Sequence, residues 1–213
     1  MTMSDHESFK TLTQRLVDEV RAATMHYELY RTLRQSAKEY GRALNQSRHF
    51  WSLTMNAHLE ACRIALCRIY DQERRSLGLR NWIENFRETV LPTIDNAEER
   101  AANHNTTPVS DSDAERDLGF VSAKDPLVNT LIVQRNNAIA HVSRGWTDDE
   151  KSVFESFPLT FADFEKLIAR AESTINRYST FVYGTNHGMQ TFEDDDVSFV
   201  LTAIKSAAER GRV

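Results

Sequence analysis

From Phe9 to Leu33 the apolar residues recur every three or four positions, as Phe9, Leu12, Leu16, Val20, Ala23, Tyr27, Tyr30 and Leu33. That spacing lays them along one side of an α-helix and fits no strand. It predicts one long helix over residues 5–40, with a break at Gly41. Residues 44–70 carry two such stripes. Phe50, Leu53, Ala57, Ala61 and Ile64 form one, and Met55, Leu59, Cys62, Leu66 and Ile69 form the other. A helix that is apolar on two sides belongs at the centre of a bundle, so this segment is expected to be the most buried. Seven glycines and four prolines in 213 residues leave room for long helices and argue against a turn-rich β architecture.

The remaining punctuation is local. Ser76-Leu77-Gly78 is a turn, and a third helix starts at Trp82–Val90 and is redirected at Pro92. Residues 103–122 are rich in Asn, Thr, Ser and Asp and read as an exposed loop. Asp125-Pro126 opens the next helix, a side-chain cap followed by proline in the first turn, and Gly145 closes it. Capping-box patterns stand at Thr147–Glu150 and Thr160–Asp163, the second launching a helix through Phe164, Leu167, Ile168, Ala171, Ile175 and Tyr178. A last helix, 192–210, follows the acidic Glu193-Asp194-Asp195-Asp196. The expectation is an all-α bundle of about five to six helices forming a single domain over 1–213. Within it, 1–43 is the long N-terminal helix, 44–183 the core with its loop at 103–122, and 184–213 the C-terminal helix.

A formal charge of −5 argues against a surface coated in basic charge for bulk nucleic-acid binding, though not against a small basic site. Cys62 and Cys67 lack metal or paired-thiol spacing and read as reduced core residues. No apolar run is long enough to span a bilayer, and the start Met-Thr-Met-Ser-Asp does not resemble a signal peptide. A soluble, cytoplasmic protein with no membrane partner is expected.

One heptad, Arg135-Asn136-Asn137-Ala138-Ile139-Ala140-His141, stands out chemically. An arginine is permanently cationic and a histidine titrates near neutral pH, a combination suited to metal-free phosphodiester cleavage. Arginine followed by histidine after four to six intervening residues is a common pattern, and Arg21 to His26 and Arg42 to His49 also fit it. The surroundings distinguish the third copy. Residues 126–146 hold no carboxylate, and Arg135 lies in line with Val128, Leu131, Ile132, Ile139 and Val142. A guanidinium in an apolar stripe needs a carboxylate from another helix, a snorkelling path to water, or a ligand. On an ideal helix His141 stands about 120° round from Arg135 and about 9 Å along it. One copy would not easily grip a phosphate with both groups, whereas two copies related by a two-fold axis could.

Arg135-Asn136 followed by His141, late in a helical bundle, resembles the signature of the HEPN superfamily. The order of elements over residues 44–183 is similar to its AbiU-like, abortive-infection branch. It includes the run from Phe50 ending in Arg68-Ile69-Tyr70-Asp71, the polar loop, the motif helix and the Leu159-Thr160-Phe161 helix start. The resemblance implies a metal-independent, cofactor-free endoribonuclease acting as a homodimer in antiphage defence or a toxin–antitoxin system. An antitoxin or nucleotidyltransferase would be a possible restraining partner. It implies that His141 serves as acid or base, Arg135 as phosphate clamp and Asn136 as an orienting residue. Arg144, Asn137, Trp146, Arg74 and Arg75 are candidate RNA contacts. The alternative is a non-catalytic HEPN-like module that binds nucleotide, RNA or a protein partner, with Arg135 structural.

Other constellations are weaker. His58 and Cys62 have the spacing of two metal ligands on a helix, without a third or fourth at a telling distance, and no metal is expected. Arg63, Arg68, Arg74, Arg75 and Arg80 outnumber Asp71 and Glu73, which reads first as a solvated face and second as an RNA-guiding surface. Trp51 and Trp82 read as core or interface residues.

Overall fold

The computed structural model describes residues 5–139, 152–189 and 194–211. Among them the chain forms nine α-helices and no strand. In order these are α1 (Asp5–Gln46), α2 (Arg48–Ile69), α3 (Leu79–Asn85), α4 (Ala97–Asn103), α5 (Asp111–Val121), α6 (Pro126–Gln134), α7 (Val153–Ser156), α8 (Phe161–Tyr183) and α9 (Asp194–Glu209). Two π-helical turns continue helices, Phe86–Val90 after α3 and Arg135–Ile139 after α6. The all-α expectation holds, with more and shorter helices than the hydrophobic stripes alone suggested. None of the described helices is long and apolar enough to cross a membrane.

The chain divides into two compact units. The larger comprises residues 1–20 and 64–189. Its centre is aromatic: Phe9 stacks on Trp82 with centroids 4.9 Å apart, and Phe86 meets Tyr178 edge-on at 4.8 Å. The Trp82 indole donates to Thr13 at 3.0 Å, so the one polar atom of a buried ring is satisfied. Leu167, Ala171 and Ile175 of α8 are fully buried in the same core, as the spacing on that helix predicts, and Phe181 joins them. The smaller unit, residues 21–63 and 190–213, contains the second half of α1, the first part of α2, and α9.

Three expectations need correcting. Gly41 does not break α1: the helix continues through it to Gln46, and a Cβ there would meet nothing within 4 Å. Residues 103–122 are not a loop throughout. They contain α5, whose N-terminus is a capping box in which the Ser110 side chain accepts from the Asp113 amide and Asp113 answers to Ser110. Composition hid a helix whose start is encoded in Ser110-Asp111-Ser112-Asp113. The two stripes of α2 are not both buried: Cys62, Leu66 and Ile69 are, whereas Phe50 and Leu53 are 61% and 70% exposed. His58 meets His26, their Nδ1 atoms 3.0 Å apart within the smaller unit.

Candidate functional site

The segment that positions Arg135 begins at Asp125, whose carboxylate accepts from the amides of Leu127 and Val128 at 3.0 and 3.1 Å and caps α6. Arg170 of α8 holds that cap from behind, with Nη1 3.1 Å from Asp125 Oδ1 and 2.7 Å from the Phe120 carbonyl. Val128 and Leu131 bury the inward face of α6. At its end Gln134 is almost wholly buried, and its Nε2 donates to the Phe157 carbonyl at 2.5 Å. Among the described residues Gln134 Oε1 is buried without a hydrogen-bond partner. The helix is thus clamped at both ends, immediately before Arg135.

Arg135 opens the π turn. Such one-turn expansions often accompany functional sites. The turn at Phe86–Val90, however, has Phe86 and Val90 in the core, so a π turn alone marks nothing.

The guanidinium meets Asp71. Nη1 lies 3.0 Å from Oδ1 and Nη2 3.1 Å from Oδ2, a two-point pair with side-chain exposures of 33% for Arg135 and 12% for Asp71. Of the three readings left open for a guanidinium in an apolar stripe, the carboxylate from another part of the chain is the one observed. Its charge is therefore compensated without a ligand. Two of five N–H donors point at Asp71, and the side chain remains partly exposed.

Asp71 is itself built in. It follows Tyr70, a buried phenol that donates to the Leu167 carbonyl at 2.7 Å and whose pKa burial pushes up. Gln72 ties the next residue to α5 through the Val121 carbonyl at 3.0 Å. Asp71 Oδ1 also accepts from the Glu73 amide at 3.0 Å, turning the chain back on itself. The turn is closed by Asn81, whose amide donates to the Glu73 and Ser76 carbonyls at 2.7 and 2.8 Å. Gly78 then passes so close that a Cβ there would stand 2.5 Å from the Asp71 carbonyl oxygen. Its backbone is extended, so the requirement for glycine is one of space and not of dihedral angle.

A solvent-open cleft of about 460 Å³ lies beside the pair, lined by Asp71, Arg15, Asp18, Glu19, Arg68, Ser76 and Leu77. Asn136 is exposed, and Asn137 returns its amide to the Val133 carbonyl of its own helix at 2.9 Å. Arg74 and Arg75 are exposed at the tip of the turn that Asp71 starts. His141, Arg144 and Trp146, like the expected cap at Thr147, lie outside the described residues.

Sequence reasoning missed Asp71, Gln134 and Gly78. Arg68-Ile69-Tyr70-Asp71 was visible as part of the resemblance, but nothing in the spacing joins residue 71 to residue 135. Only Gly78, placed in a predicted turn, carried a local signal.

Comparison with curated proteins and with solved structures returned no match. A family model described as AbiU2, of the HEPN group, matches residues 6–200, nearly the whole chain and both sides of the Arg135–Asp71 pair. The chain belongs to the HEPN AbiU2 family.

Proposed function

We propose that the protein is a metal-independent endoribonuclease of abortive-infection type, acting as a homodimer with Arg135 and His141 at its cleavage site. The observation that carries this reading is the two-point hold of Asp71 on a partly exposed Arg135. The hold fixes the plane of the guanidinium while its other N–H donors remain for a phosphate. A clamp whose orientation is set before substrate arrives loses little entropy when charge develops on the non-bridging oxygens. His141 supplies the titrating group. In one step it accepts the 2′-hydroxyl proton as that oxygen attacks phosphorus, and an acid protonates the departing 5′-oxygen. The second histidine of the dimer is the source of that acid. Asn136 is exposed next to the clamp and can orient phosphate, and Arg74 and Arg75 offer flanking positive charge.

Purified full-length protein incubated with RNA in excess EDTA tests the reading. The expected products carry 2′,3′-cyclic phosphate and 5′-hydroxyl ends, and a 2′-deoxy substitution at the cut position blocks cleavage there. Cleavage that requires a divalent metal, or 3′-hydroxyl ends, contradicts it. The same ion pair favours a second reading, a binding module in which Arg135 only joins the end of α6 to the end of α2. That reading predicts no cleavage, with RNA or partner binding that survives Arg135→Lys.

A further inference from the structure

The second half of α1, in the smaller unit, carries a line of polar side chains with no carboxylate in it. Arg31, Gln35, Lys38, Arg42 and Asn45 stand at i, i+4, i+7, i+11 and i+14, and all five are exposed. At about 100° and about 1.5 Å per residue they keep within about 40° of one line and run for about 21 Å. Leu33 and Leu44 are buried on the other side of the helix. Residues 29–49 hold five Lys and Arg against one Glu, in a chain of formal charge −5. That residue, Glu39, is drawn to α9, with Lys205 Nζ 3.8 Å from its Oε1. Tyr40 is tied to α9 as well, its hydroxyl 3.3 Å from Thr202 Oγ1 and its ring 5.3 Å from the Lys205 ammonium. Among the described residues no ion pair engages Arg31, Lys38 or Arg42.

We infer that this line is a binding ridge for the backbone of single-stranded RNA. It takes its ligand from the ribonuclease reading, on which it rests to that extent, and adds a contact made by residues that the cleavage step does not use. Charge, spacing and surroundings select the occupant. Three uncompensated cations concentrate positive charge on one strip of an otherwise acidic protein, which suits a polyanion. Successive members of the line are three or four residues apart, about 4.5–6 Å along the axis. Such a regular ladder matches a ligand whose charge repeats along its length, as a nucleic-acid strand does and an acidic protein patch does not. Gln35 and Asn45 add neutral donors for phosphate and sugar oxygens. A helix lying on an anionic membrane needs apolar residues next to its cations, and here the apolar side, with Leu33 and Leu44, is buried.

The test is binding of the full chain to a single-stranded RNA oligonucleotide with 2′-O-methyl groups, which cannot be cut by attack of the 2′-oxygen. Fluorescence anisotropy is read across a salt series for the wild type and two triple variants. One is Arg31→Gln/Lys38→Gln/Arg42→Gln. The other, Lys10→Gln/Lys124→Gln/Lys166→Gln, removes the same charge from exposed positions of the larger unit. All six side chains are exposed, so circular dichroism should be unchanged. The first variant should bind about 10-fold or more weakly near physiological salt, with the slope of log Kd against log salt reduced by about 2, and the second should match the wild type. In the wild type, RNA should protect Lys38 from acylation by a succinimidyl ester while Lys124 stays reactive, and this arm decides if the first variant fails to fold. Equal weakening of both variants, no weakening of the first, or Lys38 equally reactive with and without RNA overturns the inference. So does a wild type that binds phosphatidylserine vesicles through these cations and has no affinity for RNA. The two readings fail separately: a wild type that binds through this line but cuts no unmodified RNA contradicts the ribonuclease reading alone, whereas one that cuts RNA with the line playing no part contradicts this inference alone.

Discussion

Arg135 and Asp71, separated by 64 residues of chain, face each other through two contacts of 3.0 and 3.1 Å. The pair joins the end of α6 to the residues just beyond α2. Asp71→Asn keeps the shape and removes the charge. Since the pair is partly shielded from water, its loss should cost about 1–3 kcal/mol, read from urea unfolding. If Arg135 is the phosphate clamp, the same variant should lower RNA cleavage on the order of 100-fold, because the guanidinium loses its fixed plane. A variant as stable and as active as wild type would show that Asp71 does not orient Arg135.

Gly78→Ala drives a methyl group to 2.5 Å from the Asp71 carbonyl oxygen, a backbone atom that cannot rotate away. Destabilisation of about 1–3 kcal/mol is expected, as for other overpacked sites. Gly119→Ala is the control: a Cβ at this position would meet nothing within 4 Å, and the residue sits inside α5, so the change should be neutral or stabilising by up to about 1 kcal/mol. The melting temperature should fall for Gly78→Ala and hold or rise for Gly119→Ala.

Two capping aspartates make the fold acid-sensitive. Hydrogen bonds from the Ser110 hydroxyl and amide, with Arg177 behind them, hold the Asp113 carboxyl well below the usual carboxylate range. Thr160 lowers Asp163 in the same way. Their folded pKa values lie below the unfolded value of 3.8, so the stabilisation is fully present above that pH and is lost as pH falls through the folded values. Asp113→Asn should narrow the difference in melting temperature between pH 6 and pH 3, measured by calorimetry.

The histidine pair acts in the same direction at higher pH. Partial burial, with His26 adding repulsion, keeps the His58 pKa below its ordinary 6.5. The unfolded chain therefore takes up a proton at this residue before the folded one does, and stability contributed by neutral His58 is lost as pH falls below about 6.5. His58→Gln should flatten that part of the stability profile without changing the melt at pH 8.

Helix starts were the most legible part of this fold. Asp125-Pro126 and Thr160–Asp163 cap α6 and α8 as their spacing predicts, because a cap is a contact between residues three apart. α5 obeys the same rule at Ser110–Asp113, yet its polar composition disguised it as a loop. What the sequence could not disclose is tertiary. The stripe of α2 that begins at Phe50 has the apolar pattern of a buried face but is exposed at Phe50 and Leu53, since periodicity reports which side of a helix is apolar and not what covers it. The partner of Arg135 was equally hidden, because an ion pair across 64 residues leaves no periodic trace.

Cleavage by His141 working with Arg135 is tested most directly by single-turnover reaction of RNA in EDTA. The wild type, His141→Ala and Arg135→Ala are compared after circular dichroism has shown each to be folded. Expected are cyclic-phosphate products from the wild type and a loss of about 100- to 10,000-fold in rate for His141→Ala. Undiminished cleavage by folded His141→Ala would contradict that role for the histidine.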